Sequence, residues 1–163
     1  MSETTNTTTD AALDKELKDL AKKMFEDGAT LAEIKGITSR ELNALYQMGL
    51  GFYNTGRFDD AEKVFTFLVM FDHLESKYWL AAGAVQQVKK NFEKAKAAYV
   101  QAAMLDIHSP KPQYYVAECY LALGQREDAL ASLDTLFEYC TGTDEVTKTF
   151  RAKAEELKKK IAG

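Results

Sequence analysis

The side chains that could do chemistry in this chain are two histidines, two cysteines and several clustered carboxylates. His73 and His108 occupy neighbouring columns of two similar segments, and neither has a cysteine or second histidine at zinc-ligand spacing. They read as loop histidines that cap the preceding backbone carbonyls. Cys119 and Cys140 form no CxxC pair and read as free thiols of a reducing compartment. Asp59, Asp60, Glu62, Glu93, Glu127 and Asp128 fall at the starts of helical stretches, where the helix dipole already accounts for them. No Gly-rich phosphate loop, GxSxG or HExxH occurs. The sequence therefore predicts a non-enzyme with no metal and no cofactor. Tyrosines and aliphatics on a binding surface remain as the candidate functional residues.

The elements that must position them are written three times. Ala61, Ala95 and Ala129 stand 34 residues apart, and each is followed four positions later by a bulky side chain: Phe65, Tyr99 and Leu133. With repeats beginning at Leu42, Ser76 and Pro110, the eighth column holds Gly49, Gly83 and Ala117. Gly56-Arg57, Lys90-Asn91 and Gly124-Gln125 supply turn material between the halves. This period and pattern are those of the tetratricopeptide repeat, a helix–turn–helix unit. Small residues in columns eight and twenty let the two helices approach, and large ones such as Trp79, Phe65 and Tyr99 fill the core around that contact.

At 163 residues the chain suits one domain with a sizeable core. A hydrophobic share of 46% with 28% charged residues fits a soluble globular protein. The net charge of −4 leaves no basic excess to neutralise phosphates, so nucleic acid is not expected as a partner. No apolar run approaches the roughly 18 residues of a membrane span, and the first ten residues lack a basic and an apolar signal region. The expectation is a cytoplasmic protein that does not insert into membranes.

In chain order, residues 1–10 are almost wholly polar and predict a disordered tail. Residues 11–37 form an N-terminal helical region. Asp10 is a candidate cap for a helix from Ala11 to Asp27, and Leu13, Leu17, Leu20, Met24 and Phe25 share one stripe. That stripe needs a partner, either the first repeat or a second copy of the chain, with Leu13, Leu17, Leu20 and Met24 as the dimer contact. Thr30 with Glu33, and Thr38 with Glu41, make capping-box patterns. Residues 38–143 hold the three repeats as six helices near 39–54, 59–71, 76–89, 93–105, 111–123 and 127–140. Residues 144–163 form a final helix capped by Asp144, with Val146, Phe150, Ala154, Leu157 and Ile161 on one side. It is the polar-backed end cap that a repeat stack needs. The predicted class is all-α: three repeats with N-terminal helices and a C-terminal capping helix.

In tetratricopeptide repeats the first helix of each unit lines a concave side through columns two, five, nine, twelve and thirteen. These are Asn43, Tyr46, Leu50, Tyr53 and Asn54, then Lys77, Leu80, Ala84, Gln87 and Val88, then Lys111, Tyr114, Glu118, Leu121 and Ala122. Tyrosines and aliphatics within polar rims predict a groove for an extended apolar segment. Tyr46, Tyr53 and Tyr114 could instead pack into the core. Columns five and nine cannot clamp a peptide carboxylate, and Glu118 would repel one. A proline-containing segment suits the groove, since a preformed polyproline II stretch loses little entropy on binding. A scaffold that bridges folded partners is the alternative.

Phe71-Asp72-His73-Leu74, Tyr78 and Ala81-Ala82-Gly83-Ala84 resemble the class II chaperones of bacterial type III secretion systems. So do Gly28-Ala29-Thr30-Leu31 with Ile37, the run Phe52-Tyr53-Asn54-Thr55-Gly56-Arg57, and Ala117-Glu118-Cys119. The resemblance spans Phe25 to Leu136. It implies a chaperone of the bacterial cytoplasm that binds one or two hydrophobic translocator proteins, keeping them soluble and apart before export. It also implies groove residues at Tyr46, Leu50, Tyr53, Leu80 and Tyr114, and homodimers formed through the N-terminal helices.

Overall fold

The computed structural model describes residues 4–162, with side chains from Ala12 onward. Among these residues the chain is helical without strands: α1 (Thr4–Phe25), α2 (Leu31–Lys35), α3 (Ser39–Asn54), α4 (Phe58–Phe71), α5 (Ser76–Val88), α6 (Phe92–Leu105), α7 (Pro110–Ala122), α8 (Arg126–Tyr139) and α9 (Glu145–Ala162). Each helix from α3 to α8 packs on its neighbours in sequence, and α9 closes against α7 and α8. This is the predicted stack of three helical hairpins.

Local chemistry sets the boundaries. Both capping boxes form, with Thr30 and Thr38 side chains accepting from the Glu33 and Glu41 amides. Gly36 ends α2 at φ 68°, where a Cβ would be strained. Pro110 opens α7 at its first position, where no intrahelical N–H is missed. Asp144 accepts from the Thr147 amide at 3.0 Å and starts α9. The hairpin turns take the left-handed region at Gly56, Lys90 and Gly124, with φ of 77°, 61° and 77°. The second repeat thus holds a lysine where the others use glycine, at a cost of about 1 kcal/mol.

Column eight is small because there is no room. A Cβ on Gly49 would meet the Phe65 ring at 2.6 Å, and one on Gly83 would meet Tyr99 at 2.7 Å. Ala117 fits in the third repeat because Leu133, not a ring, stands opposite. Gly83→Ala should therefore destabilise the fold by roughly 1–3 kcal/mol through overpacking, despite the better helix propensity of alanine. Gly51→Ala is the matched control: it lies in α3 with nothing within 4 Å of a Cβ. It should stabilise by about 0.5–1 kcal/mol. Paired denaturant melts showing the two changes alike in sign would refute this packing account.

Buried Ala61, Phe65, Leu68, Tyr78 and Val85 centre the first core; Ala95, Tyr99, Val116 and Cys119 the second; Ala129, Leu133, Leu136, Ala154 and Ile161 the third. Phe65 and Tyr99 are core as expected. Trp79 is only half-buried, its indole donating to the His73 carbonyl at 2.8 Å.

Other expectations change as well. Within the tail expected to be disordered, residues 1–3 lie outside the described residues, while Thr4 to Asp10 are helical. Asp10 is therefore interior to α1 and not its cap, since extending a formed helix adds one bond per residue fixed. His108 does not cap its own preceding helix: Nδ1 lies 3.0 Å from the Tyr139 carbonyl at the end of α8. Cys140 Sγ reaches back to the Ile107 carbonyl at 3.6 Å, so both side chains tie the α6–α7 loop to the third repeat. The stripe of α1 finds little cover, because α1 meets the rest of the fold chiefly through α2. Leu13 and Leu17 stay more than half exposed and Phe25 is 87% exposed.

A candidate peptide-binding groove across the repeats

The first helices of the repeats, α3, α5 and α7, contribute to one groove of about 860 Å³. Tyr46, Leu50 and Tyr53 enter it from α3, spaced four and three residues apart so that they share one helix face. Leu80, Ala84, Gln87 and Val88 enter from α5 on the same spacing, and Lys111 from α7. These eight were expected from their columns. Asn43, Asn54, Lys77, Tyr114, Glu118, Leu121 and Ala122 do not line this cavity.

The positions of that second set have physical reasons. Asn43 and Asn54 are exposed. Lys77 holds its ammonium over the Tyr46 and Tyr78 rings, at 5.5 and 5.2 Å from their centroids. Tyr114 and Leu121 pack against the third core, and Tyr114 meets the Phe150 ring edge-on at 5.5 Å. Burial, aided by the Glu118 carboxylate, pushes the Tyr114 phenol up to about 12.

Tyr46 and Tyr53 belong to both core and groove. Tyr46 lies 5.9 Å from the Phe65 ring and 5.7 Å from Tyr78, while Tyr53 meets Phe58 edge-on at 5.5 Å. Their other faces line the cavity. Burial, with Glu75 nearby, raises the Tyr46 pKa, so the ring presents a neutral hydroxyl at neutral pH.

The column rule missed several wall residues. Tyr99 was expected only as core, yet it also walls the groove. Tyr115 stacks on Tyr99 at 5.2 Å, and Phe150 of α9 meets Tyr115 at 5.8 Å. Lys90, Phe92 and Ala81 complete the lining. Lys90 reaches the wall from the strained turn position of the second repeat. Phe150 carried a signal in the apolar stripe of the last helix, but a stripe does not say that one member faces a cavity.

A polar chain runs from this wall across the repeats. The Tyr99 hydroxyl donates to Gln87 Oε1 at 2.6 Å, and Gln87 Nε2 donates to Glu118 Oε2 at 3.0 Å. Cys119, fully buried beside Glu118, has its thiol pushed up to about 12, first by burial and then by that carboxylate. A thiol so protonated is a packing group and not a nucleophile. Among the described residues no cluster of three or more His, Cys, Asp or Glu could hold a metal ion. No described helix is long and apolar enough to cross a membrane.

An all-α stack of helical hairpins with an aromatic-walled groove across it is a tetratricopeptide-like repeat protein. Comparison with known proteins carries this further. No family model matches the chain. The Low calcium response locus protein H of Yersinia pestis is 34% identical over 115 residues, covering 70% of this chain and 68% of that protein. Among solved structures, the type III secretion translocator chaperone SycD of Yersinia enterocolitica superposes with a TM-score of 0.76 at 28% identity. The match covers 81% of this chain and 98% of that one. SycD has also been solved with a peptide of the translocator YopD and in an alternative dimer. PcrH in complex with the chaperone binding region of PopD gives a TM-score of 0.73 at 29% identity, covering 78% and 95%. The chain belongs to the family of type III secretion translocator chaperones.

Proposed function

We propose that this protein holds hydrophobic translocator proteins in the bacterial cytoplasm, keeping them soluble and apart before export. The observation that carries the reading is the groove walled by Tyr46, Leu50, Tyr53 and Leu80, in a chain whose structural neighbours include two solved with translocator segments. The occupant is an extended apolar segment containing proline. Its rings and aliphatics replace water against the tyrosines, and no bond is made or broken. A translocator carries apolar surface that would otherwise aggregate, and binding a segment of it shifts the equilibrium toward the dispersed state by mass action. The site residues proposed are the eight column residues that line the groove, joined by Tyr99, Tyr115 and Phe150. Asn43, Asn54, Lys77, Tyr114, Glu118 and Leu121 are supporting or rim positions.

Co-purification from the native host tests this. One or two proteins with long apolar segments, insoluble when the chaperone is absent, should come with the tagged chain. Recovery of folded, independently soluble partners instead would replace the reading with that of a bridging scaffold.

The open stripe of α1 is the proposed homodimer contact, through Leu13, Leu17, Leu20 and Met24. Two apolar stripes covering one another remove from water the surface that α2 leaves exposed. Leu17→Glu should shift the sedimenting mass from dimer toward monomer while leaving helicity intact. An unchanged mass would remove α1 from the interface.

A further inference from the structure

Gln87 lines the groove and is held from two sides. Glu118 is a carboxylate and can only accept, so the amide nitrogen must face it, and the amide oxygen must face the Tyr99 hydroxyl. The side-chain amide therefore has one orientation. Its three participants come from α5, α6 and α7, so that orientation exists only once the second and third repeats are stacked.

An amide offers two N–H donors and two acceptor positions. The bonds to Glu118 and Tyr99 use one of each, leaving one N–H and one lone pair on a side chain that forms part of the groove wall. Its neighbours in the lining on the same helix, Leu80, Ala84 and Val88, are apolar. An extended proline-containing segment makes no internal hydrogen bonds, and each of its carbonyls needs a partner when water is removed. We infer that Gln87 donates its remaining N–H to a main-chain carbonyl of the bound segment, with Tyr99 and Glu118 as positioning residues that fix the amide for this role. The inference rests on the groove being the client site, and it adds a donor of fixed direction, unlike the rotatable tyrosine hydroxyls and lysine ammoniums of the same lining. Tyrosines and aliphatics reward any apolar segment, whereas a fixed donor sets the register of the chain. Glu118 then acts through Gln87 and need not touch the client.

The test uses the full chain and, as probe, the chaperone binding region of PopD, the segment solved with PcrH. Gln87→Met keeps the side-chain length and apolar stem while removing the donor. It should weaken binding roughly three- to tenfold, as loss of one hydrogen bond does. Tyr99→Phe removes one of the amide's two anchors while Glu118 still holds its nitrogen, and should weaken binding less, by about two- to threefold, in the same direction. A set of probes, each with one main-chain amide replaced by an ester, weakens one carbonyl acceptor at a time. At one position the ester penalty seen with the wild-type protein should vanish in Gln87→Met, a coupling that loss of fold stability would not produce. Equal affinities for wild type and Gln87→Met, or ester penalties that persist unchanged in the variant, overturn the inference and leave the groove reading standing. Failure of the wild-type protein to bind the probe at all overturns the groove reading, and the inference with it.

Discussion

Replacing both Tyr46 and Tyr53 with alanine is expected to weaken binding of a translocator segment by about 100-fold or more. Each is an aromatic anchor on the groove wall, and truncating such an anchor at the centre of an interface typically costs about 2 kcal/mol. The melting temperature should fall as well, contrary to what a purely surface position would give. Tyr46 packs within 6 Å of the Phe65 and Tyr78 ring centroids, and Tyr53 packs on Phe58. Removing half-buried rings from such contacts costs about 1–2 kcal/mol each, or roughly 2–4 °C per kcal/mol in a domain of this size. Affinity must therefore be measured well below the transition of each variant, with circular dichroism to establish that helicity is retained. Tyr46→Phe supplies the control, since it keeps the ring packing and should melt near the wild type. Folded Tyr46→Ala and Tyr53→Ala proteins that bind the segment as tightly as wild type would remove these rings from the site.

Deleting residues 145–162 should have the largest effect on stability. Phe150, Ala154 and Ile161 of α9 are buried against the third repeat, and Leu157 is half-buried there. Arg151 also donates to the Phe137 and Cys140 carbonyls at 3.1 and 3.0 Å, closing the end of α8. Burial of the Phe150 and Ile161 side chains alone is worth roughly 3–6 kcal/mol, set against a total stability of about 5–15 kcal/mol for a typical domain. Without α9, Leu133 and Leu136 face water and the third repeat loses its cap. The expected result is a helical signal reduced by more than the 18 deleted residues account for, and an early first transition on heating. Affinity for the segment should fall too, because Phe150 forms part of the groove wall. A truncated chain that melts as the intact one does would show that the third repeat is complete without α9.

The legibility of this protein follows from the range of the interactions involved. Helix ends are written locally: Thr38 with Glu41, Thr30 with Glu33, Pro110 and Asp144 each act within four residues, so the sequence shows them directly. The period of 34 carries the architecture, because column eight must be small wherever Phe65 or Tyr99 lies opposite, and that demand repeats with the unit. Helical spacing by itself likewise puts Tyr46, Leu50 and Tyr53 on one face. The eight column residues in the groove were legible for this reason.

The remainder depends on distances between helices far apart in sequence. Tyr115 and Phe150 become wall residues because α9 folds back on α7, and no column rule specifies that return. Tyr99 serves core and groove at once because α6 lies beneath α5, so one ring can fill the space beside Gly83 and still reach Gln87. Glu118 reads in the sequence as a charge that would repel a peptide carboxylate; the stacking of repeats makes it the acceptor that fixes Gln87. Sequence alone determined the repeat and the helices within it, since those rest on short-range spacing, and its residue runs carried the resemblance to the family. Tertiary structure alone decided which rings face the groove and how its polar groups are oriented, since both are set by contacts between repeats.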